Sequence, residues 1–367
     1  MRKLGCVFIV LCFVMAFVAP VAGADEGDEL QKPQQLSLED AVNMALKNSE
    51  TVKIQEEVTD KAWEQRERAA DNVTFIPAGG YSPQAEAAYT GLLQADLNYQ
   101  IQRKEIQNQK DEIILAVYDK YFQIQQLKEK IISLEKELEE VDWNKKTSWV
   151  QLHVGVLAPT SIPGIDAALQ QAKAQLQSTK EELDKAYTEL NRLTGMKPED
   201  RVELKDSIPY EPLELYSDID YDVYRAVNNS VNVWQALQNV TIQRKDLSFL
   251  SKPYDVEKHD VDIAELNVTQ AKEELRKQVR LLYHDIKALE ETIKAGEQGI
   301  KAFEEALRVK ELNYKIGMAT KGDVLSAQKE LASAKQQVTE LKYKHAVAVA
   351  NYHKLIGREI VAGIQGM

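Results

Sequence analysis

The stretch Val117-Tyr-Asp-Lys-Tyr121-Phe-Gln-Ile124-Gln-Gln-Leu127-Lys-Glu-Lys-Ile131-Ile-Ser-Leu134-Glu-Lys-Glu-Leu138-Glu-Glu-Val141 decides the fold. Val117, Ile124, Ile131 and Leu138 recur every seven residues, and Leu127, Leu134 and Val141 fill the complementary heptad position. That pattern makes a helix that packs on its neighbours as coiled coils do. Outward from it, only Gly91 interrupts a helix that runs from about Gln84 to His153. At ~1.5 Å per residue such a helix is about 100 Å long. The segment Val154-Gly-Val-Leu-Ala-Pro-Thr-Ser-Ile-Pro-Gly164 then reverses the chain. A return helix follows from about Ile165 to Leu193, stopped by Gly195 and Pro198. Upstream, Ser37-Leu-Glu-Asp40 is a capping-box-like start for an amphipathic helix reaching about residue 71. Residues 76–83 are rich in turn formers.

The same plan recurs. Shifting the sequence by 162 residues places Tyr121 on Tyr283, Ile124 on Ile286, Leu127 on Leu289 and Ile131 on Ile293. It also places Gly155 on Gly317, Leu193 on Leu355 and Gly195 on Gly357. Earlier parts match at a shift of 181, where Asn48-Ser49 meets Asn229-Ser230. Generic heptads would not bring the helix-breaking glycines into one register, so a duplicated helical hairpin is the economical reading. The second copy opens near Asp218, turns at Lys252-Pro253, and carries a long helix from about Val256 to Lys315 and a tip from Gly317. Its return helix contains Ala327, Ala332, Ala334, Ala346, Ala348 and Ala350, small residues that let helices approach closely. The expected fold is therefore all-α in the main, with long antiparallel coiled-coil hairpins in two tandem repeats. The expected divisions are a signal peptide over 1–24, a disordered N-terminus over 25–35 and a first repeat over 36–195. A linker over 196–217, a second repeat over 218–360 and a tail over 361–367 complete them.

Arg2 and Lys3, the apolar run Leu4–Val18 and the small residues Val21-Ala22-Gly23-Ala24 read as an export signal cleaved after Ala24. Cys6 and Cys12 leave with it, so the exported chain has no thiol chemistry. Taking Arg2 and Lys3 from the 46 basic residues leaves 44 against 58 acidic ones, a net charge of −14. Such acidity argues against nucleic acid and anionic lipid as partners. No enzyme constellation is evident. His153, His259, His284, His345 and His353 form no metal-binding pair at helical spacing and read as surface or interface residues. No phosphate-binding glycine loop or nucleophile elbow is present. Glu135, Glu137, Glu139 and Glu140 read as the solvated exterior of a coiled coil. No catalytic residue, cofactor or metal ligand is assigned.

The second tip reads Tyr314-Lys-Ile-Gly317-Met-Ala-Thr320-Lys-Gly-Asp323-Val324-Leu325-Ser-Ala-Gln328. It resembles the Y-x-x-G-x-x-T-x-x-D-V-L-x-A-Q stretch of the TolC family of outer-membrane efflux proteins. Val154-Gly155-Val-Leu-Ala158-Pro-Thr160 is similar to that family's other hairpin turn, and Glu189–Gly195 to the close of its return helix. Leu36–Ser49 resembles its first helix. The resemblance implies a homotrimer whose hairpins assemble into a hollow α-helical barrel. Its tips would dock on a periplasmic adaptor, and through it serve an inner-membrane pump. On this chain the docking tips would be Val154, Gly155, Val156, Ala158 and Thr160, with Ile316, Gly317, Met318, Ala319 and Thr320. Tyr314 and Asp323 would border the pore constriction. Asp323 has an equally good reading as a helix N-cap after Gly322, and one residue can do both. Ser326 and Ser161 stand where further acidic residues would strengthen such a ring.

The family also inserts strands between the opening and long helices of each repeat, which three protomers close into a β-barrel. A spanning strand needs about 9–11 residues of alternating character. Neither 72–90 nor 247–256 accommodates two, so the strands are expected to be vestigial or absent. Two functions follow. One is a TolC-like efflux-duct component in the outer membrane or periplasm; the other is an exported coiled-coil scaffold or adaptor without a conducting pore.

Overall fold

The structure is a computed structural model and describes residues 35–76, 82–249 and 252–361. The expected export signal and most of the expected disordered N-terminus lie outside the described residues, as does most of the C-terminal tail. In chain order the elements are β1 (Gln35–Leu36), α1 (Leu38–Asn48), α2 (Glu50–Asp71) and α3 (Pro83–His153). After a 3-10 turn at Pro159–Ser161 come α4 (Ile162–Thr194) and β2 (Glu203–Leu204). The same helical order then recurs as α5 (Ile219–Asn229), α6 (Val231–Leu247), α7 (Tyr254–Lys315) and α8 (Lys321–Ile356).

Helices α3 and α7 are the two continuous rods, and the others line up on them. Toward the tips α4 packs on α3, α3 on α8, and α8 on α7; toward the opposite end α2 packs on α3, α3 on α6, and α6 on α7. The heptad positions make this row. Val117 and Ile124 in α3, and Val279, Ile286 and Ile293 in α7, are fully buried. Ile131, Leu134 and Leu138 are only half-buried, because beyond the middle α3 meets fewer helices of its own chain. Alanines bring α8 close to α3, with Ala346 and Ala350 inside the main core beside Tyr118, Tyr121 and Phe122. A second core joins α5, α7 and α8 through Val223, Val279, Ile286, Tyr352 and Ile356.

The opening helix is not continuous to residue 71 as its amphipathicity suggests; it breaks at Ser49. Ser49 is extended, and its side chain accepts the Val52 N–H to cap α2. The Asn48 amide donates to the Thr194 carbonyl at the end of α4, 2.7 Å away. Asn229 and Ser230 repeat the arrangement: Asn229 donates to the Ile356 carbonyl at 3.2 Å, and Ser230 accepts the Val233 N–H to cap α6. Each break thus couples a short helix to the end of a return helix, α1 to α4 and α5 to α8. The return helix α4 also starts earlier than expected, at Ile162, since Pro163 is tolerated in a first turn where its missing N–H would have no partner.

The linker is ordered around a polar junction. β1 and β2 pair in parallel, Gln35 with Glu203 and Leu36 with Leu204. Asp206 accepts the Leu38 N–H at 2.7 Å and so caps α1. The Tyr121 hydroxyl donates to the Leu36 carbonyl at 2.8 Å and accepts from the Asp206 N–H. Burial pushes the Tyr121 phenol up to about 12, so it serves as a neutral donor. Among the described residues β1 and β2 are the only strands, and both lie at this junction. The connections from α2 to α3 and from α6 to α7, where the strands are expected to be vestigial or absent, are residues 72–82 and 248–253. Neither can hold two spanning strands of about 9–11 residues each.

Candidate functional site

Both hairpins end in the same reversal. In the first tip the Gly155 N–H donates to the Leu152 carbonyl and the Val156 N–H to the Gln151 carbonyl, at 3.0 and 2.9 Å. In the second the Gly317 N–H donates to Tyr314 and the Met318 N–H to Asn313, at 3.1 and 2.7 Å. These are Schellman closures, which need a left-handed residue just past the helix. Gly155 and Gly317 supply it with φ of 77° and 80°. A Cβ at either glycine would meet nothing within 4 Å, so conformation alone demands glycine there.

The closures turn apolar side chains outward. Val154 and Val156 are 67% and 77% exposed, and Ile316 and Met318 66% and 79%. Ala158 and Thr160 are exposed, Ala319 is half-buried and Thr320 exposed. Single exposed apolar residues are ordinary on a surface. Here they sit at matching positions on both tips, at the far ends of α3 and α7. The sequence placed these residues together, and the geometry keeps them together within each tip.

Beyond Gly317 the two tips differ. Thr320 and Asp323 form a reciprocal capping box on α8: the Asp323 N–H donates to Thr320 Oγ1 at 3.2 Å, and the Thr320 N–H to Asp323 Oδ2 at 2.8 Å. The Thr320 hydroxyl donates to the same oxygen at 2.7 Å. These bonds, the backbone one foremost, hold the Asp323 carboxyl below its ordinary range. The capping role of Asp323 is therefore real, and its charge is fixed at the start of α8. In the first tip Ser161 makes no side-chain cap and a 3-10 turn with Pro159 takes its place. Tyr314 stands 48% exposed on the last turn of α7.

Sequence reasoning missed a brace between the hairpins. The Lys321 ammonium lies 4.6 Å from the centre of the Trp143 ring, a cation–π distance. The same indole lies 3.5 Å from where a Cβ on Gly322 would project. Lys329 pairs with Glu140 at 2.7 Å from α8 to α3. Glu140 thus departs from the solvated acidic face read from sequence, its side chain being only 13% exposed. An aromatic on one heptad rod and a lysine 178 positions later carry no joint signal in a single sequence. Among the described residues no group of three or more His, Cys, Asp or Glu could hold a metal ion, and no helix is long and apolar enough to cross a membrane.

Residues 220–358, the second repeat with its tip, match the sequence model of the outer membrane efflux protein family. The fold is that of the TolC-like efflux channels. The chain superposes on the outer-membrane channel OprN with a TM-score of 0.66 at 13% identity, over 88% of this chain and 90% of that one. The open state of the Neisseria gonorrhoeae outer membrane channel MtrE gives 0.63 at 14% identity, over 89% and 90%. CusC, solved in the context of folding and transmembrane channel formation, gives 0.62 at 13% identity, over 88% and 92%. At such identities the likeness is one of fold. No curated protein sequence matches the chain. The motif at Gly317–Gln328 falls within the matched segment, and the all-α hairpin architecture expected from the heptads is the one found.

Proposed function

We propose that the chain is the protomer of a homotrimeric, TolC-like efflux duct that carries small molecules or peptides outward through the cell envelope. The observation that carries this reading is the pair of matching hairpin tips. Each presents exposed apolar residues at the far end of a helix about 100 Å long, away from the core. Surfaces built that way have a use only if something meets them. Val154, Gly155, Val156, Ala158 and Thr160, with Ile316, Gly317, Met318, Ala319 and Thr320, would dock the helical tips of a periplasmic adaptor. The adaptor would connect the duct to an inner-membrane pump. Tyr314 and Asp323 would border the constriction, where three fixed carboxylates would favour cations. No catalytic step is needed.

The connections at 72–82 and 248–253 favour a second reading, an exported scaffold that keeps the helical hairpins but has no pore. Both readings place the protein in the envelope, at the outer membrane or in the periplasm. Alkaline carbonate washing of membranes tests the attachment: a closed β-barrel stays with the membrane, a peripheral helical protein is released. The short connections predict release. Retention would show that the barrel is supplied in full. The shape and hollowness of the assembled particle then separates duct from scaffold.

A further inference from the structure

His345, read from sequence as a surface or interface histidine, is buried in α8 with 1% of its surface exposed. Both of its ring nitrogens are buried without a hydrogen bond. Its ring faces α7 and the linker. The Tyr210 ring of the linker packs edge-on against it, with centroids 5.2 Å apart. Nε2 lies 3.6 Å from Glu290 Oε1 of α7, too long for a hydrogen bond but within ion-pairing reach once the ring is charged. Both lone pairs of that oxygen are already taken, by the Leu213 N–H at 2.7 Å and by the Lys287 ammonium at 3.2 Å. Lys287 of α7 donates to Glu290 at 2.8 Å and to the Leu213 carbonyl at 2.9 Å. One carboxylate and one ammonium thus fasten the linker at Leu213 to α7. The other charges near this pocket are Lys342 of α8 itself, 5.3 Å from the centre of the Tyr210 ring and paired with Glu297 of α7 at 2.6 Å, and Glu291 of α7, whose charge also acts on Tyr210. α3 meets α8 through Tyr343, Ala346 and Ala350, where Asp119 accepts the Tyr343 hydroxyl.

We propose that His345 is a proton-operated latch: a proton on its ring draws Glu290 off the Leu213 peptide and frees the linker locally, at Leu213, from α7. The neutral ring leaves Glu290 to Leu213 and Lys287. A buried imidazolium without a partner is costly, and the carboxylate oxygen nearest to it is the one the Leu213 N–H occupies. Competition for that single oxygen is the device. Burial pushes the ring below the ordinary histidine value, partly offset by Glu290. The folded state therefore resists the proton that the unfolded chain accepts near 6.5. Stability present above that value is lost as pH falls from 6.5 toward the depressed folded value.

The test is hydrogen exchange of the full chain at pH 7.5 and 5.5, with rates divided by those of unstructured peptide to remove their intrinsic pH dependence. The Leu213 amide should lose about tenfold in protection at the lower pH, the change expected for one pH unit of titration of a single coupled group. The Lys205 amide, bonded to the Leu36 carbonyl at 3.1 Å, is the internal control and should hold. In His345→Gln the Leu213 protection should no longer depend on pH. Unchanged Leu213 protection in the natural chain would overturn the proposal, as would a parallel loss at Lys205. The ratio of the two amides in the natural chain decides the matter even if the variant fails to fold.

Discussion

Gly195→Ala tests the coupling of short helix to return helix, and its cost can be worked from the structure. Gly195 follows α4 with φ of 76°, and a left-handed alanine costs about 1–2 kcal/mol. A Cβ there would lie 2.5 Å from the Asn48 side-chain nitrogen. That amide is the far end of a side chain and moves aside, but in moving it loses its 2.7 Å bond to the Thr194 carbonyl. Such a bond contributes about 0.5–1.5 kcal/mol net. The total is about 1.5–3.5 kcal/mol. Gly155→Ala is the matched control: its φ is 77°, yet no atom lies within 4 Å of the added Cβ, so only the conformational ~1–2 kcal/mol applies. Urea unfolding followed by helical circular dichroism, at fixed protein concentration, reads the difference. Gly195→Ala should be about 1 kcal/mol worse than Gly155→Ala. In an Asn48→Ala background the excess should vanish, since the bond is already gone. Equal costs at the two glycines, or an excess that survives Asn48→Ala, would refute the reasoning.

Further outcomes follow from other contacts. Tyr352→Phe removes the hydroxyl that donates to buried Asp222 at 2.9 Å. Asp222 Oδ1 is already buried without a partner, so the variant should lose about 1–3 kcal/mol in the same unfolding assay. Asp323→Ala removes the reciprocal half of the capping box of α8, leaving Thr320 to accept the residue-323 N–H, and should lower the unfolding midpoint in the same assay. Because its bonds depress the Asp323 carboxyl, its side-chain signal in NMR should titrate below that of an ordinary aspartate; a normal midpoint would show the box to be open in solution. Gly317→Trp should abolish photo-crosslinking from Met318 to an adaptor while leaving the trimer formed; undiminished crosslinking would remove Gly317 from the docking surface.

Much of this was legible because long-range order here follows from local order. The seven-residue spacing of Val117, Ile124 and Ile131 fixes the rod, and Gly155 and Gly317 fix its ends, since only a left-handed residue closes a Schellman turn. The break at Ser49 was hidden by amphipathicity that runs unbroken across it. The pairing of Asn48-Ser49 with Asn229-Ser230 was visible as a repeat, and a serine ahead of an acidic residue is a capping signal that could have placed the break. What could not be read was lateral: Trp143 under Lys321, Glu140 with Lys329, and Glu290 between Leu213 and His345. These partners lie on elements far apart in sequence, and heptads specify that helices pack without saying which ones. The tips were found from sequence because each is one short segment, whereas the latch draws on three elements.

If two tandem hairpins build a duct, the assembled particle must have a shape that no scaffold shares. Purified mature protein should be sized in solution and imaged by electron microscopy. The particle should be a trimer with a hollow interior about 100 Å long, the length of α3 at ~1.5 Å per residue. Monomeric rods, or solid dimers with their hairpins packed face to face, would contradict the duct.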